Sequence, residues 1–136
     1  MARRFSACIS LAFISALLLA TVACREAEQS GYPSQISPAE LAERIGAGDG
    51  PLILDVRSPE EYMAGHIPGA ANVPHTQLAF RVDELGVGKS DEVVVYCQSG
   101  ARAGRAKQAL IRAGYTKARD LQGHMRAWRQ GGYPTE

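Results

Sequence analysis

The chain has 136 residues, of which 46% are hydrophobic and 21% charged, and its formal net charge is +1. This length fits one domain with a short extension, and the composition is typical of a globular protein rather than a disordered one. Because the charges nearly balance, there is no electrostatic case for binding nucleic acid, and we expect no partner of that class.

The first stretch, MARRFSACISLAFISALLLATVAC, has the layout of an export signal. Two arginines precede a segment without any charge that runs from Phe5 to Ala23, and Cys24 follows it. A cysteine after TVA resembles the lipidated cysteine of bacterial lipoproteins, although Thr21 stands where leucine is usual. We therefore expect a signal peptide over residues 1–23, lipidation of Cys24, and a domain exported to the bacterial cell envelope (periplasm) and held at the membrane by the lipid.

Two other interpretations of this stretch stay open. One is an ordinary signal peptide whose cleavage releases a soluble domain. The other is an uncleaved anchor, because the uncharged segment nearly reaches the length of a membrane-spanning helix, about 20 residues. All three place the domain outside the cytoplasm. Residues 24–35 would then be the lipidated cysteine and a polar linker that contains glycine and proline.

The cysteines limit the chemistry of the domain. Cys8 lies inside the predicted signal and Cys24 at its end, which leaves Cys97 as the one cysteine of the domain. A disulfide within the domain is therefore not expected. The sequence has no CxxC and no Cys/His cluster with zinc spacing, so we predict neither a metal nor a cofactor. A lone thiol of this kind is either a buried small hydrophobe or a reactive group.

Predicted helices and strands alternate along the remaining chain. SPAELAERIGAG predicts a helix, with Ser37 as its N-cap and Glu40 completing a capping box. A buried strand is predicted over Leu52–Val56, and SPEEYMAG repeats the helix-start pattern. A short strand near Ala71–Val73 and a helix over TQLAFRVDELG follow.

The second half of the chain continues the alternation with EVVVYC as a strand, ARAGRAKQALIRAGY as a helix, KARDLQG as a strand and HMRAWRQ as the last helix. EVVVYC is dense in β-branched residues, which favour strands. This order of elements predicts an α/β fold with a mainly parallel sheet.

The loop after EVVVYC is the candidate site. In open parallel sheets, ligands bind outside the carboxyl ends of the strands, where Cys97 lies. A turn that enters a helix directs several N–H groups into one concavity, which suits an anion and favours the thiolate of Cys97. Arg102 and Arg105 add positive charge there, although either could belong to a solvated helix face. The predicted anion-binding residues are Gln98, Ser99, Gly100, Ala101 and Arg102.

Three stretches, LDVRSPEEYMAGHIPGAANVP, VVVYCQSGARA and LQGHMRAW, resemble the signatures of the rhodanese family in the right order. The resemblance covers residues 36–132 and leaves 133–136 as a tail. It implies about five strands in a mainly parallel sheet with helices on both faces. It also implies that Cys97 takes a sulfane sulfur from thiosulfate or a persulfide donor and passes it to a thiol or cyanide acceptor. Arg102 matches the basic residue that closes the family's loop and orients the anionic donor.

Other functions fit less well. The loop from Cys97 to Arg102 has the length of the sulfurtransferase members, and the related dual-specificity phosphatases have one residue more. This disfavours a phosphatase or an arsenate reductase, and a reductase would also need a resolving thiol. A binding module without chemistry would be expected to lack Cys97. An envelope sulfur carrier that delivers to a protein partner, with little turnover of free thiosulfate, stays open.

The signature residues outside the loop have mainly structural interpretations. Asp55 is a candidate pocket residue at a strand end, as is Arg105, and Glu61 is a candidate partner of Arg57. His66 is interpreted as a residue that fixes the HIPGA loop rather than as a base.

The last signature holds two residues of interest. Trp128 is interpreted as a core residue. His124 stands where the family usually has the second of two glycines. Its side chain is expected either to alter the backbone near the pocket or to begin the last helix without a further role.

Overall fold

A computed structural model of the protein describes residues 31–136. The predicted signal peptide and the predicted lipidation site, Cys24, lie outside the described residues. Tyr32–Glu136 forms one folded unit. Within the described part of the chain, none of the helices is long and apolar enough to cross a membrane.

Five parallel strands form one sheet in the order β1-β5-β4-β2-β3. The strands are β1 Gln35–Ile36, β2 Leu52–Asp55, β3 Ala71–Asn72, β4 Glu92–Tyr96 and β5 Lys117–Leu121. In the central strand, β4, the three valines and Tyr96 have no exposed surface, as expected where helices cover both faces of a parallel sheet. The predicted mainly parallel α/β sheet is confirmed.

Helices cover both faces of the sheet, as expected. They are α1 Pro38–Ala47, α2 Pro59–Met63, α3 Leu78–Arg81, α4 Ala101–Arg112 and α5 His124–Gln130. Leu41 of α1 and Trp128 of α5 belong to one apolar layer, whereas Leu78 of α3 and Leu110 of α4 belong to the other. These side chains are fully buried, and each such burial contributes about 1.5–3 kcal/mol to folding. The two layers fix β4 between them.

The two predicted helix starts differ in detail. Ser37 accepts the Glu40 N–H at 3.1 Å, but the Glu40 carboxylate lies 3.2 Å from Arg119. The reciprocal half of the capping box predicted at Glu40 is therefore wrong, because a cation on β5 takes the carboxylate. The complete capping box is at α2, where Ser58 and Glu61 exchange bonds of 3.1 and 3.3 Å.

The helix predicted over TQLAFRVDELG is shorter than expected. α3 ends at Arg81 and a 3-10 turn, Val82–Glu84, replaces its second half. The Tyr115 hydroxyl donates to the Val82 carbonyl at 3.0 Å. This bond occupies a carbonyl that a longer α-helix would use, and it holds the turn against the apolar layer beneath.

Candidate active site

Cys97 directly follows β4 and is only 1% exposed. The chain then bends through residues 98–100, and α4 begins at Ala101. The Gly100 N–H donates to Cys97 Sγ at 3.0 Å. A backbone donor and the N-terminus of a twelve-residue helix therefore both lie beside the sulfur. Both favour negative charge there, on a thiolate or on a sulfur species attached to it.

Gly100 has two reasons to be glycine. Its φ is +121°, a conformation that side chains disfavour. A β-carbon on Gly100 would also lie 3.0 Å from Nε2 of His124, closer than most real contacts of that atom. The tight turn that brings the Gly100 N–H to the sulfur therefore depends on the absence of a side chain.

The loop is attached to the first turn of α5 through its carbonyl groups. The Met125 N–H donates to the Cys97 carbonyl at 3.0 Å, and the Arg126 N–H donates to the Gln98 carbonyl at 3.3 Å. Gln98 is half-buried, whereas Ser99 and Ala101 are exposed at the surface of the loop. The structure thus brings the predicted anion-binding residues together around Cys97, and their binding role stays a prediction.

Arg102 forms a two-point ion pair with Glu61 of α2. Its Nη1 lies 2.5 Å from Oε2 and its Nη2 lies 2.9 Å from Oε1. The hydrogen bonds from Arg102 lower the pKa of Glu61 to about 2. The Glu61 bond, with a smaller contribution from the charge of a Cys97 thiolate, raises the pKa of Arg102. Glu61 does not take up the candidate pairing with Arg57, because its carboxylate binds Arg102. A contact across 41 residues of sequence leaves no local signal that could have predicted it.

Asp55 and Arg57 form a buried ion pair at the end of β2. Asp55 is fully buried, Arg57 is 2% exposed, and both carboxylate oxygens accept from the guanidinium. Burial lowers the pKa of Arg57, but the hydrogen bonds and charge of Asp55 outweigh it and raise that pKa overall. The guanidinium also donates to the Gly65 carbonyl at 2.9 Å and lies over the Tyr96 ring. The Asp55 carboxylate is therefore occupied in holding Arg57.

The remaining predicted residues lie as follows. The His66 ring stacks on Tyr62 with 3.7 Å between centroids, and its Nδ1 lies 3.1 Å from the Tyr62 carbonyl. Trp128 is fully buried and donates through Nε1 to the Pro134 carbonyl at 2.8 Å. Both contacts are structural, in line with the sequence interpretation. Arg105 is exposed on α4.

His124 lies against the loop. Its ring is half-buried, and Nδ1 is 3.5 Å from the Cys97 backbone nitrogen. Burial lowers the pKa of His124, and the charge of Asp120 opposes that effect. The sequence marked this position as a departure from the usual pair of glycines. It could not show that the side chain reaches the Cys97–Gly100 turn.

No group of His, Cys, Asp and Glu side chains suited to a metal ion occurs among residues 31–136. The Gly100 N–H and the N-terminus of α4 lie at the site, and both favour an anion over a cation. The arrangement can therefore hold negative charge next to a nucleophilic sulfur.

Known proteins resemble this chain over most of its described length. The family described as the rhodanese-like domain matches residues 37–131. Thiosulfate sulfurtransferase 16, chloroplastic, of Arabidopsis thaliana is 38% identical over 120 residues, which cover 81% of this chain and 98% of that protein. A sulfurtransferase of Allochromatium vinosum is 34% identical over 101 residues, covering 74% and 92% respectively. The structure of a human single-domain sulfurtransferase superposes with a TM-score of 0.62 at 34% identity, covering 71% of this chain and 96% of that one.

Proposed function

The chain belongs to the rhodanese family, and on this premise we propose that it is a sulfurtransferase that carries sulfane sulfur on Cys97. The donor is thiosulfate or a persulfide, and the acceptor is a thiol or cyanide. The observation that carries the proposal is the Gly100 N–H, 3.0 Å from Cys97 Sγ, at the N-terminus of α4. The sulfurtransferase names of its relatives support sulfur transfer in general.

In the first half-reaction the Cys97 thiolate attacks the outer sulfur of thiosulfate. A bond forms between Cys97 Sγ and that sulfur, the S–S bond of thiosulfate breaks, and its electron pair leaves on sulfite. The negative charge moves from Sγ to the new outer sulfur. Backbone donors and the helix dipole, fixed before the reaction, stabilise that charge without reorganising.

In the second half-reaction the acceptor removes the sulfur. Cyanide attacks the outer sulfur of the persulfide, a C–S bond forms, and the S–S bond breaks with its electron pair returning to Cys97. The products are thiocyanate and the thiolate. A thiolate acceptor reacts in the same way and leaves as a persulfide. Neither step needs a proton transfer by a side chain once the thiolate is present.

Arg102 supplies the positive charge for the anionic donor. Two of its guanidinium nitrogens contact Glu61, and this fixes the plane of the group beside the loop. A guanidinium has five N–H donors, so others stay available for a sulfonate-like group. Glu61 is thus a positioning residue for Arg102.

We also propose that the chain is exported to the bacterial cell envelope and lipidated on Cys24. The support is the charge-free segment before Cys24 and the two arginines ahead of it. The test is the mass of the N-terminal peptide from membrane fractions of expressing cells. Lipidated Cys24 at a new N-terminus would support the proposal. An unmodified Cys24 inside a longer peptide would contradict it.

The test of sulfur transfer uses the full-length chain purified in detergent and incubated with thiosulfate. We expect one added sulfur atom on Cys97, removed by cyanide with formation of thiocyanate, and no adduct in Cys97→Ser. Absence of an adduct on reduced, accessible Cys97 would contradict the use of thiosulfate. A persulfide that forms only from a protein donor would favour the carrier alternative.

A further inference from the structure

His124 has an unusual backbone conformation. It is the one non-glycine residue with a positive φ, 55°, among residues 31–136. The left-handed region brings the β-carbon close to the backbone, so glycine would suit this position better than histidine. A side chain kept in an unfavourable conformation suggests a role beyond the start of α5.

The ring of His124 touches the Cys97–Gly100 turn at both ends. Nδ1 lies 3.5 Å from the Cys97 nitrogen, where it accepts a long hydrogen bond. Nε2 lies 3.0 Å from the place that a β-carbon on Gly100 would occupy. The imidazole therefore fills the space beneath the turn whose Gly100 N–H reaches the sulfur.

The contact at Nδ1 requires one protonation state of the ring. An imidazole accepts a hydrogen bond only through an unprotonated nitrogen, so accepting the Cys97 N–H calls for the neutral ring with its proton on Nε2. Burial lowers the pKa of His124 and favours this neutral form. Asp120 on β5 is the charged group that acts on the ring, and it also binds Lys107 of α4 at 2.7 Å, whereas Cys97 at the end of β4 contacts the ring through its backbone nitrogen.

We propose that His124 is a positioning residue that braces the Cys97–Gly100 turn in its anion-binding conformation, by accepting the Cys97 N–H and packing beneath Gly100. A braced turn presents its N–H groups before the donor arrives, so less ordering is needed on binding. The consequence for reactivity rests on the proposed sulfur transfer. The bracing itself can be measured without it.

Two variants separate the packing of the His124 ring against Gly100 from its hydrogen bond with the Cys97 N–H. His124→Gly removes both contacts, and glycine suits the backbone, so this variant is expected to fold. His124→Asn keeps a short acceptor near the place of Nδ1, and asparagine tolerates a positive φ better than most residues. The two variants therefore differ in whether position 124 offers an acceptor to the Cys97 N–H. Neither introduces a bulky side chain that could prevent folding.

The first measurement is amide hydrogen exchange of residues 98–101 in the full-length chain, which does not depend on any reaction. We expect exchange in His124→Gly to be roughly threefold to tenfold faster than in the wild type, the range that one neutral hydrogen bond accounts for. Exchange in His124→Asn, which restores the acceptor but not the ring, should lie between that of His124→Gly and that of the wild type. If these amides exchanged in His124→Gly at the wild-type rate, the proposal would be overturned. If they exchanged as fast in His124→Asn as in His124→Gly, the role of His124 as an acceptor would be overturned.

The second measurement is the rate of persulfide formation from thiosulfate against pH. We expect His124→Gly to raise KM for thiosulfate roughly threefold to tenfold with a smaller change in kcat. The pH dependence tests the neutral ring. As pH falls through the His124 pKa, the rate of persulfide formation should fall more steeply in the wild type than in His124→Asn, because a protonated ring cannot accept the Cys97 N–H. A wild type that gains rate over His124→Asn in acid would overturn the role of the neutral ring. If the wild type forms no persulfide, the sulfur-transfer proposal fails, while the exchange data still decide the bracing.

Discussion

A single carbon atom added at Gly100 would disturb the geometry of the loop. We predict that Gly100→Ala destabilises the fold by about 1–3 kcal/mol, because φ of +121° is unfavourable for alanine and the new methyl meets His124. Persulfide formation should fall roughly tenfold or more, since the turn must open and withdraw its N–H from Cys97 Sγ. Urea unfolding and single-turnover rates with thiosulfate measure the two effects.

Gly104 supplies the matched control for that substitution. It lies inside α4 with nothing within 4 Å of the β-carbon that an alanine would add. Alanine is favoured over glycine in a helix by about 0.5–1 kcal/mol, so Gly104→Ala should stabilise the fold and leave the rate unchanged. If Gly100→Ala reacted at the rate of Gly104→Ala, the Gly100 N–H would have no part in the chemistry.

Asp55 can be tested against its candidate role in the pocket. Because the Asp55–Arg57 pair is buried, Asp55→Asn leaves a buried cation without its counter-charge, and we predict a loss of about 3–5 kcal/mol in unfolding free energy. The Asp55→Asn protein that remains folded should react with thiosulfate at the wild-type rate. Urea unfolding measures the loss of stability, and the activity per folded molecule shows whether Asp55 takes part in the reaction. Full stability combined with lost activity would instead assign the carboxylate to the pocket.

At the scale of elements, the Glu61–Arg102 pair joins α2 to α4 across the mouth of the loop. The folded-state pKa of Glu61 is about 2, below its ordinary value. The ion pair therefore stabilises the fold fully at pH values above the pKa that Glu61 has in the unfolded chain. That stability is lost as pH falls from about 4.5 towards 2, as the carboxylate takes up a proton. Because about a third of each side chain is exposed, solvent screening limits the effect to about 1 kcal/mol.

Glu61→Gln tests this link. Glutamine can keep the cap of α2 through its amide oxygen but carries no charge. We predict that the variant loses about 1 kcal/mol at pH 7 and shows a flatter decline of stability in acid than the wild type. Arg102→Ala in the wild type and in Glu61→Gln completes a double-mutant cycle. Purely additive losses would mean that the two side chains do not stabilise each other.

The elements themselves were largely predictable from the sequence, for a physical reason. β4 contains three consecutive valines, and α2 has serine as its N-cap and proline as its first residue, so local chemistry specifies both. The helix over TQLAFRVDELG was predicted too long because Tyr115, distant in sequence, takes the Val82 carbonyl. The partners of Glu40 and Glu61 were missed for the same reason. Where the local sequence offers several equally suitable partners, contacts between residues distant in sequence determine which partner is bound.

At the scale of the whole molecule, the sheet order brings the site together. β4 lies between β5 and β2, so the loop after β4 meets the residues that follow both neighbours. α5, which begins soon after β5, donates to the carbonyls of the loop, and α2, which begins soon after β2, supplies Glu61. The sequence placed Cys97 at this edge through the general rule for parallel sheets. It could not place His124 beneath the turn, because side-chain direction there depends on a backbone conformation that histidine rarely adopts.

The architecture also leaves Cys97 without a partner thiol. Cys97 is a free cysteine, and the part of the chain that the structure describes contains no other. The export proposed above would expose this sulfur to oxidants, and oxidation beyond the sulfenic acid is irreversible for most proteins. Since the domain cannot protect this sulfur by forming an internal disulfide, we predict that hydrogen peroxide inactivates the reduced protein. Addition of a thiol reductant should restore activity only at the sulfenic stage.

The persulfide form should respond differently to the same oxidant. When the outer sulfur takes the oxygen, Cys97 Sγ stays in an S–S bond, which a thiol cleaves by exchange to return the cysteine. We therefore predict that protein loaded with thiosulfate recovers most of its activity with a thiol reductant after a peroxide exposure that carries unloaded protein beyond the sulfenic acid, whereas the unloaded protein does not recover. Activity assays and the mass of the Cys97 peptide, taken before and after the reductant, measure this. Equal and permanent inactivation of both forms would show that the bound sulfur does not shield Cys97.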